Sequence, residues 1–382
     1  MSARGQLRWP IKIVRFALRQ LAWRLGAVTD PFERLALRRK KLRGELTNVR
    51  CLVPFTRLEF LGKGLVTSCC HTFTKVYSVG NMKRGSVARI WNGRALQRLR
   101  RRLLLGRVES VCQPNCPYLS KPPIPIAALP EQTAHERTLK EHLAAGQTFL
   151  TTHPAVFTLT NWGACNLRCR MCNNYSSQPM PAHVAHTHEQ LKAFFDEKVV
   201  LVLTGNGDPL ARRDTRELLI NFPSARHPGV RFEILTNGLL WTREMWAKIR
   251  HCRFSAVNVS IDAATRETYE SIRRGGRWEA LQAALQVLKD GKDEGLLTTV
   301  NINMTVMRSN YREIPAFAAM ARRFGFGAYF TRIRGAFGDE NIFDPPDALA
   351  LAELRRVLAD PSLAGKDLDL APLAEFQPGS SL

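Results

Sequence analysis

From residue 153 onward short apolar runs alternate with stretches of helical periodicity, and this alternation restricts the fold more than any other feature of the sequence. Candidate strands are 155–160, 199–204, 231–236, 255–261, 299–306 and 327–333. Helical stretches fall near 189–196, 212–221, 243–250, 265–290 and 311–323. Strands separated by helices pair in parallel, because each crossover must bring the chain back to the same end of the sheet. Six strands rather than eight imply an α/β fold built as a partial (βα)6 barrel. Reactive side chains of parallel barrels gather at the C-terminal strand ends, so those loops are where chemistry is sought.

The loop after the first strand carries Cys165-Asn166-Leu167-Arg168-Cys169-Arg170-Met171-Cys172, a Cys-x3-Cys-x2-Cys run. Three thiolates on one tight loop can hold three corners of a [4Fe–4S] cubane and leave the fourth iron open. Zinc is the competing metal, with His183, His186 or His188 as a fourth ligand, but structural zinc sites more often pair two Cys-x2-Cys elements. The cubane is the better reading.

From about Phe157 to Arg334 the sequence resembles the radical SAM superfamily, whose signature is this triplet after strand one of a partial barrel. Thr204-Gly205-Asn206-Gly207-Asp208-Pro209 is similar to the family's Gly-Gly-Glu-Pro segment ending strand two. Leu235-Thr236-Asn237-Gly238 ends strand three, and Val259-Ser260-Ile261-Asp262 ends strand four. The resemblance implies that Cys165, Cys169 and Cys172 hold a [4Fe–4S] cluster whose open iron chelates S-adenosylmethionine. It implies that Gly205, Asn206, Gly207 and the Asp208 carboxylate receive the methionine ammonium, and that Thr236, Asn237, Ser260 and Asp262 contact ribose and carboxylate. The expected chemistry is one-electron cleavage to a 5′-deoxyadenosyl radical that abstracts a substrate hydrogen. Two departures stand out. Met171 and Asn173 flank the third cysteine where many members carry an aromatic residue, a place Tyr175 is expected to fill, and Asp208 replaces the usual Glu.

A second cysteine set, Cys51, Cys69, Cys70, Cys112 and Cys116, precedes the barrel. Cys51-x12-Gly64-x4-Cys69, the Ile90-Trp91-Asn92-Gly93 segment and Cys112-x3-Cys116-Pro117 resemble SPASM and twitch domains, which hold an auxiliary [4Fe–4S] cluster. Those domains usually follow the barrel; here the module precedes it. The resemblance implies Cys51, Cys69, Cys112 and Cys116 as ligands, with Cys70 able to exchange with its neighbour; a four-cysteine zinc knuckle is the alternative. Cys252 stands alone and reads as a buried structural thiol.

Charge separates the two halves. Residues 1–120 hold 25 Lys+Arg and 5 Asp+Glu, a net of +20, whereas the remainder of the chain nets +3 out of +23. Residues 1–48 read as a basic amphipathic helical arm, with Val14, Ala17, Leu18, Leu21 and Leu25 on one face and Arg8, Lys12, Arg15 and Arg19 beside it. Residues 49–120 form the cysteine-rich module, 121–152 a linker and helix, 153–345 the barrel, and 346–382 a helix and tail. Such an arm suits an anionic membrane surface or an acidic partner such as flavodoxin or ferredoxin as one-electron donor, and a solvated helix packed on its own domain is the plain alternative. Nucleic acid is disfavoured, since no RNA-binding motif accompanies the charge. No apolar run approaches the roughly 20 residues of a membrane helix, and the arginines interrupt any signal-peptide core. The expected compartment is the cytoplasm, with contact at the inner membrane face. The leading expectation is a radical SAM oxidoreductase acting on a carbohydrate or other small metabolite, with the auxiliary cluster relaying an electron. The alternatives are a maturase of ribosomal peptides and, from another class, a metal-stabilised nucleic-acid or membrane-binding protein without catalysis.

Overall fold

The computed structural model describes residues 30–70, 73–76, 78–114, 116, 118–119, 121–172, 180–205 and 207–377. The apolar and basic faces read for 8–25, and Asn173, Tyr175 and Asn206, lie outside the described residues. The chain divides into two compact units, Met1–Asn161 with Ala182–Phe194, and Trp162–Pro181 with Phe195–Leu382.

The first unit opens with α1 (Asp30–Leu42), whose Asp30 and Glu33 stand in the first turn and whose Arg39, Lys40 and Lys41 stand in the last. That placement complements the helix dipole at both ends. There follow β1 (Asn48–Val49), α2 (Val53–Thr56), β2 (Arg57–Leu61), β3 (Leu65–Thr67) and β4 (Gly80–Asn81). Next come α3 (Val87–Trp91), α4 (Arg94–Leu104), β5 (Ile124–Pro125), α5 (Ala134–Ala144), β6 (Val156–Thr160) and α6 (Ala182–Leu191). Residues 30–42 differ from a free arm: Asp30 pairs with Arg101, Glu33 with Arg102 at 3.0 Å, and Leu37 is buried. The two carboxylates find their partners on α4, so α1 is part of the cysteine-rich module. β2, β3 and β4 form an antiparallel meander, and β2 also pairs in parallel with β6, from Arg57 opposite Val156 to Leu61 opposite Thr160. The first strand expected for the barrel therefore extends the module's own sheet.

Arg100 fastens this unit from inside. Fully buried on α4, it donates to the Pro54 carbonyl at 2.9 Å and the Thr148 carbonyl at 2.8 Å, and its guanidinium lies 4.1 Å from the Trp91 ring. Trp91 Nε1 in turn donates to the Thr152 carbonyl at 2.6 Å. The helix beside Cys51, α3 and the segment before β6 are thus tied to one side chain.

The second unit contains β7 (Val200–Leu203), α7 (Arg213–Ile220), β8 (Arg231–Thr236), α8 (Arg243–Ile249), β9 (Phe254–Ser260), α9 (Arg266–Ile272) and α10 (Trp278–Asp293). It closes with β10 (Val300–Val306), α11 (Ile314–Phe324), β11 (Gly327–Arg332), α12 (Ala348–Leu358) and β12 (Leu368–Asp369). The strands run parallel in sequential order from β7 to β12. Alternate residues sort by face as a parallel sheet under helices requires: Val257, Val259, Ile302, Met304 and Phe330 are buried. Asn258, Ser260, Asn301, Thr305, Tyr329 and Thr331 take the other face. The single helix expected over 265–290 is two, because Gly275 at φ 91° and Gly276 break it. β12 is a strand beyond those expected. Cys252 is buried beneath the sheet; its thiol donates to the Leu219 carbonyl at 3.2 Å, and burial pushes it up to about 12. Among the described residues no helix is long and apolar enough to cross a membrane.

Candidate metal and cofactor site

The cysteine triplet belongs to the second unit, and backbone pairing holds it on both sides. On one side Arg168 N donates to the Arg274 carbonyl at 2.9 Å and Arg170 N to the Ile272 carbonyl at 2.8 Å. On the other, Asp208 N donates to the Ala164 carbonyl at 2.8 Å beside a parallel bridge between Ala164 and Gly207. Gly207 has φ 102°, and a Cβ there would fall 2.1 Å from the Ala164 carbonyl oxygen, so no other residue fits this approach. Cys165 is exposed, Cys169 buried and Cys172 half-buried. Burial raises the Cys165 and Cys169 thiols above their usual value, while the Arg273 charge pulls Cys169 back. Met171 points into an apolar cluster with Ile272, Met307 and Ile333, where Phe337 and Phe343 also pack.

Asp208 is placed differently from the expectation that its carboxylate faces the methionine ammonium. It is buried, its Oδ2 accepts from Thr236 Oγ1 and Asn237 N, both at 2.7 Å, and its Oδ1 accepts from Leu210 N at 2.9 Å. Burial raises its carboxyl against the pull of those donors. One methylene shorter than Glu, the side chain turns back and bolts the ends of β7 and β8 together. Thr236 and Asn237 are engaged in the same knot. Asn237 Nδ2 donates to Asn166 Oδ1 at 2.8 Å and to Cys165 Sγ at 3.8 Å, which ties β8 to the cysteine loop. Asp262, buried at φ 67°, accepts from Thr305 N at 2.7 Å and pairs with Arg273. Gly205 and Gly207 reach the surface, and Ser260 is half-buried with no side-chain bond among the described residues. Of the expected contacts, Gly205, Gly207 and Ser260 are the ones facing outward.

Arg273 is the residue that sequence reading passes over. It is buried, pairs with Asp262, and its Nη1 donates to Cys169 Sγ at 3.7 Å. Burial alone would weaken its hold on a proton, but Asp262, Cys169 and Tyr269 outweigh that and keep it charged. The one available signal was the Gly-Gly pair after Arg274, which marks the helix break that brings this segment beside the loop.

In the first unit Cys51, Cys69, Cys112 and Cys116 line one cavity with Pro54, Leu99, Leu103, Val111 and Leu119; Cys70 is absent from its wall. Burial raises the Cys51 and Cys69 thiols, and pushes Cys112 up to about 12. A ring of four thiols with apolar walls is the donor set of a cubane held at every corner. The residues therefore fit an iron–sulfur cluster.

Comparison with known proteins agrees with this geometry. The Radical SAM superfamily model matches residues 162–321, and the SPASM model, an iron–sulfur cluster-binding domain, matches 51–117. The chain thus carries a Radical SAM domain with a SPASM domain ahead of it in sequence. [4Fe–4S] clusters and S-adenosylmethionine are the cofactors these domains imply. The chain is 32% identical over 201 residues to the mycofactocin maturase MftC of Mycolicibacterium smegmatis, covering 52% of this chain and 48% of the relative. It is 32% identical over 217 residues to the AdoMet-dependent heme synthase of Methanosarcina barkeri, covering 55% and 58%. The chain thus spans about half the length of the curated relatives it matches. Among solved structures, Streptococcus suis SuiB bound to S-adenosylmethionine aligns over 72% of this chain and 64% of its own, at 17% identity and TM-score 0.42.

Proposed function

We propose that this chain is a radical SAM maturase acting on a ribosomally made peptide. The observation that carries the enzymatic reading is the pair of thiol sets, one at the barrel rim, the other enclosed in its own cavity. Cys165, Cys169 and Cys172 would hold the S-adenosylmethionine cluster, and Cys51, Cys69, Cys112 and Cys116 the auxiliary one. When bound and reduced, the first cluster with S-adenosylmethionine supplies hydrogen-atom abstraction. The chain's own part is positional. Asp208, Thr236 and Asn237 fix the loop, Ser260 and the backbone of Gly205 and Gly207 bind the cofactor, and the polar face of β9, β10 and β11 offers hydrogen bonds to a substrate.

The relative named as a maturase supports a peptide precursor over the carbohydrate expected from sequence. A small metabolite stays the second reading, favoured by the relative named as a heme synthase. A ferredoxin or flavodoxin would deliver the electron. The outer face of α1 supports docking on an anionic membrane: Phe32, Leu35 and Leu42 are exposed there beside Arg38 and Arg39. The substrate reading is tested by incubating reconstituted chain, S-adenosylmethionine and reductant with precursor peptides encoded beside its gene, and separately with small metabolites. A mass change in a peptide, with faster 5′-deoxyadenosine release, is expected. Acceleration by a metabolite and by no peptide would replace it with the second reading.

A further inference from the structure

We propose that Arg273 sets the reduction potential of the cluster at Cys165, Cys169 and Cys172 through its N–H···S bond to Cys169. This rests on the reading of Cys169 as a cluster ligand. The placement follows from the backbone. The bonds from Arg168 N to the Arg274 carbonyl and from Arg170 N to the Ile272 carbonyl bracket the pair Cys169 and Arg273, so the two residues stand opposite one another. The helix α9 ends at Ile272, and the turn through Gly275 sets Arg273 and Arg274 beside the loop.

The guanidinium then divides its donors. Nη2 faces Asp262, and Nη1 faces Cys169 Sγ at 3.7 Å. Both residues are buried, so the charge acts through little solvent. Reduction of a cluster places more negative charge on its sulfurs. A donor and a fixed positive charge beside one thiolate stabilise the reduced state more than the oxidised state, which raises the potential. Asn237 Nδ2, 3.8 Å from Cys165 Sγ, acts in the same sense without a charge. Asp262 opposes it, and also aims the guanidinium. Arg273 is a positioning residue that acts through Cys169.

A purely mechanical role, tying segment 272–274 to the loop, predicts lost cluster content but an unchanged potential in the clusters that do assemble. The experiment separates the two. The full chain is reconstituted anaerobically and titrated with reductant under EPR, following the signal that added S-adenosylmethionine perturbs. Arg273→Gln is expected to lower the ratio of reduced to oxidised cluster at a fixed potential at least tenfold, equivalent to about 59 mV for a one-electron couple. Asp262→Asn, which keeps an acceptor for Thr305 N and removes the opposing charge, is expected to shift the midpoint upward. Should Arg273→Gln fail to assemble the cluster, the Asp262→Asn shift decides alone. Midpoints unmoved in every variant that assembles would overturn the inference. An intact wild-type signal with unmoved variants sinks only the role of Arg273, whereas wild-type chain with no such signal sinks the ligand reading itself.

Discussion

At the scale of single residues, the chemistry of this site depends on which polar groups are already satisfied. Asp208 looks from its motif like a ligand, yet its oxygens accept from Thr236, Asn237 and Leu210. Asp208→Ala would leave those buried donors without an acceptor, at a cost of roughly 3 kcal/mol. The urea midpoint of the cluster-free chain should fall accordingly. Ser260→Ala should behave in the opposite way, with stability changed by less than about 0.5 kcal/mol and S-adenosylmethionine affinity of the reconstituted chain several-fold weaker in equilibrium binding. If Asp208→Ala keeps its stability and loses only cofactor affinity, the carboxylate faces the ammonium after all.

At the scale of elements, α1 shows how one helix serves two surfaces. Its inner side is fixed by the pairs of Asp30 and Glu33 with α4. Its outer side exposes Phe32 at 74% and Leu42 at 77%, values that need an apolar or interfacial environment to be of use. Vesicles with half anionic lipid should sediment the wild-type chain at low salt. Phe32→Glu with Leu42→Glu should reduce the bound fraction several-fold, and raised salt should weaken wild-type binding, because screened cations lose their attraction to the lipid. Equal sedimentation of the variant would exclude this face as the contact.

At the scale of the whole molecule, two separately built thiol sets should behave independently. Reconstitution should yield about eight iron per chain, from two cubanes. Cys165→Ala, Cys169→Ala and Cys172→Ala together should leave about four and abolish 5′-deoxyadenosine formation. Cys112→Ala with Cys116→Ala should also leave about four but retain 5′-deoxyadenosine formation while product is lost. Cys70→Ala should keep the full complement, since Cys70 does not line the cavity. A chain that binds zinc and lacks the visible absorption of iron–sulfur clusters would contradict all four outcomes.

Much of this was legible in the sequence, because it depends on local pattern. Strand positions follow from apolar runs, and β8 occupies the expected 231–236 without a shift. The cysteine spacings, read with the glycines at 205 and 207, point to both thiol sets from chain order alone. What sequence could not supply is the partner of each polar group, since a side chain of given type bonds whatever the fold sets beside it. The turn of Asp208 back onto Thr236 and Asn237 required β7 and β8 to be neighbours. The pairing of β2 with β6 joined residues about a hundred positions apart, with no local signal for it. Arg273 met Cys169 only because α9 ended at Ile272 and the turn that follows bonded to the cysteine loop. Local propensity and spacing fixed the elements and the ligand types, and long-range packing decided which charges and donors face them.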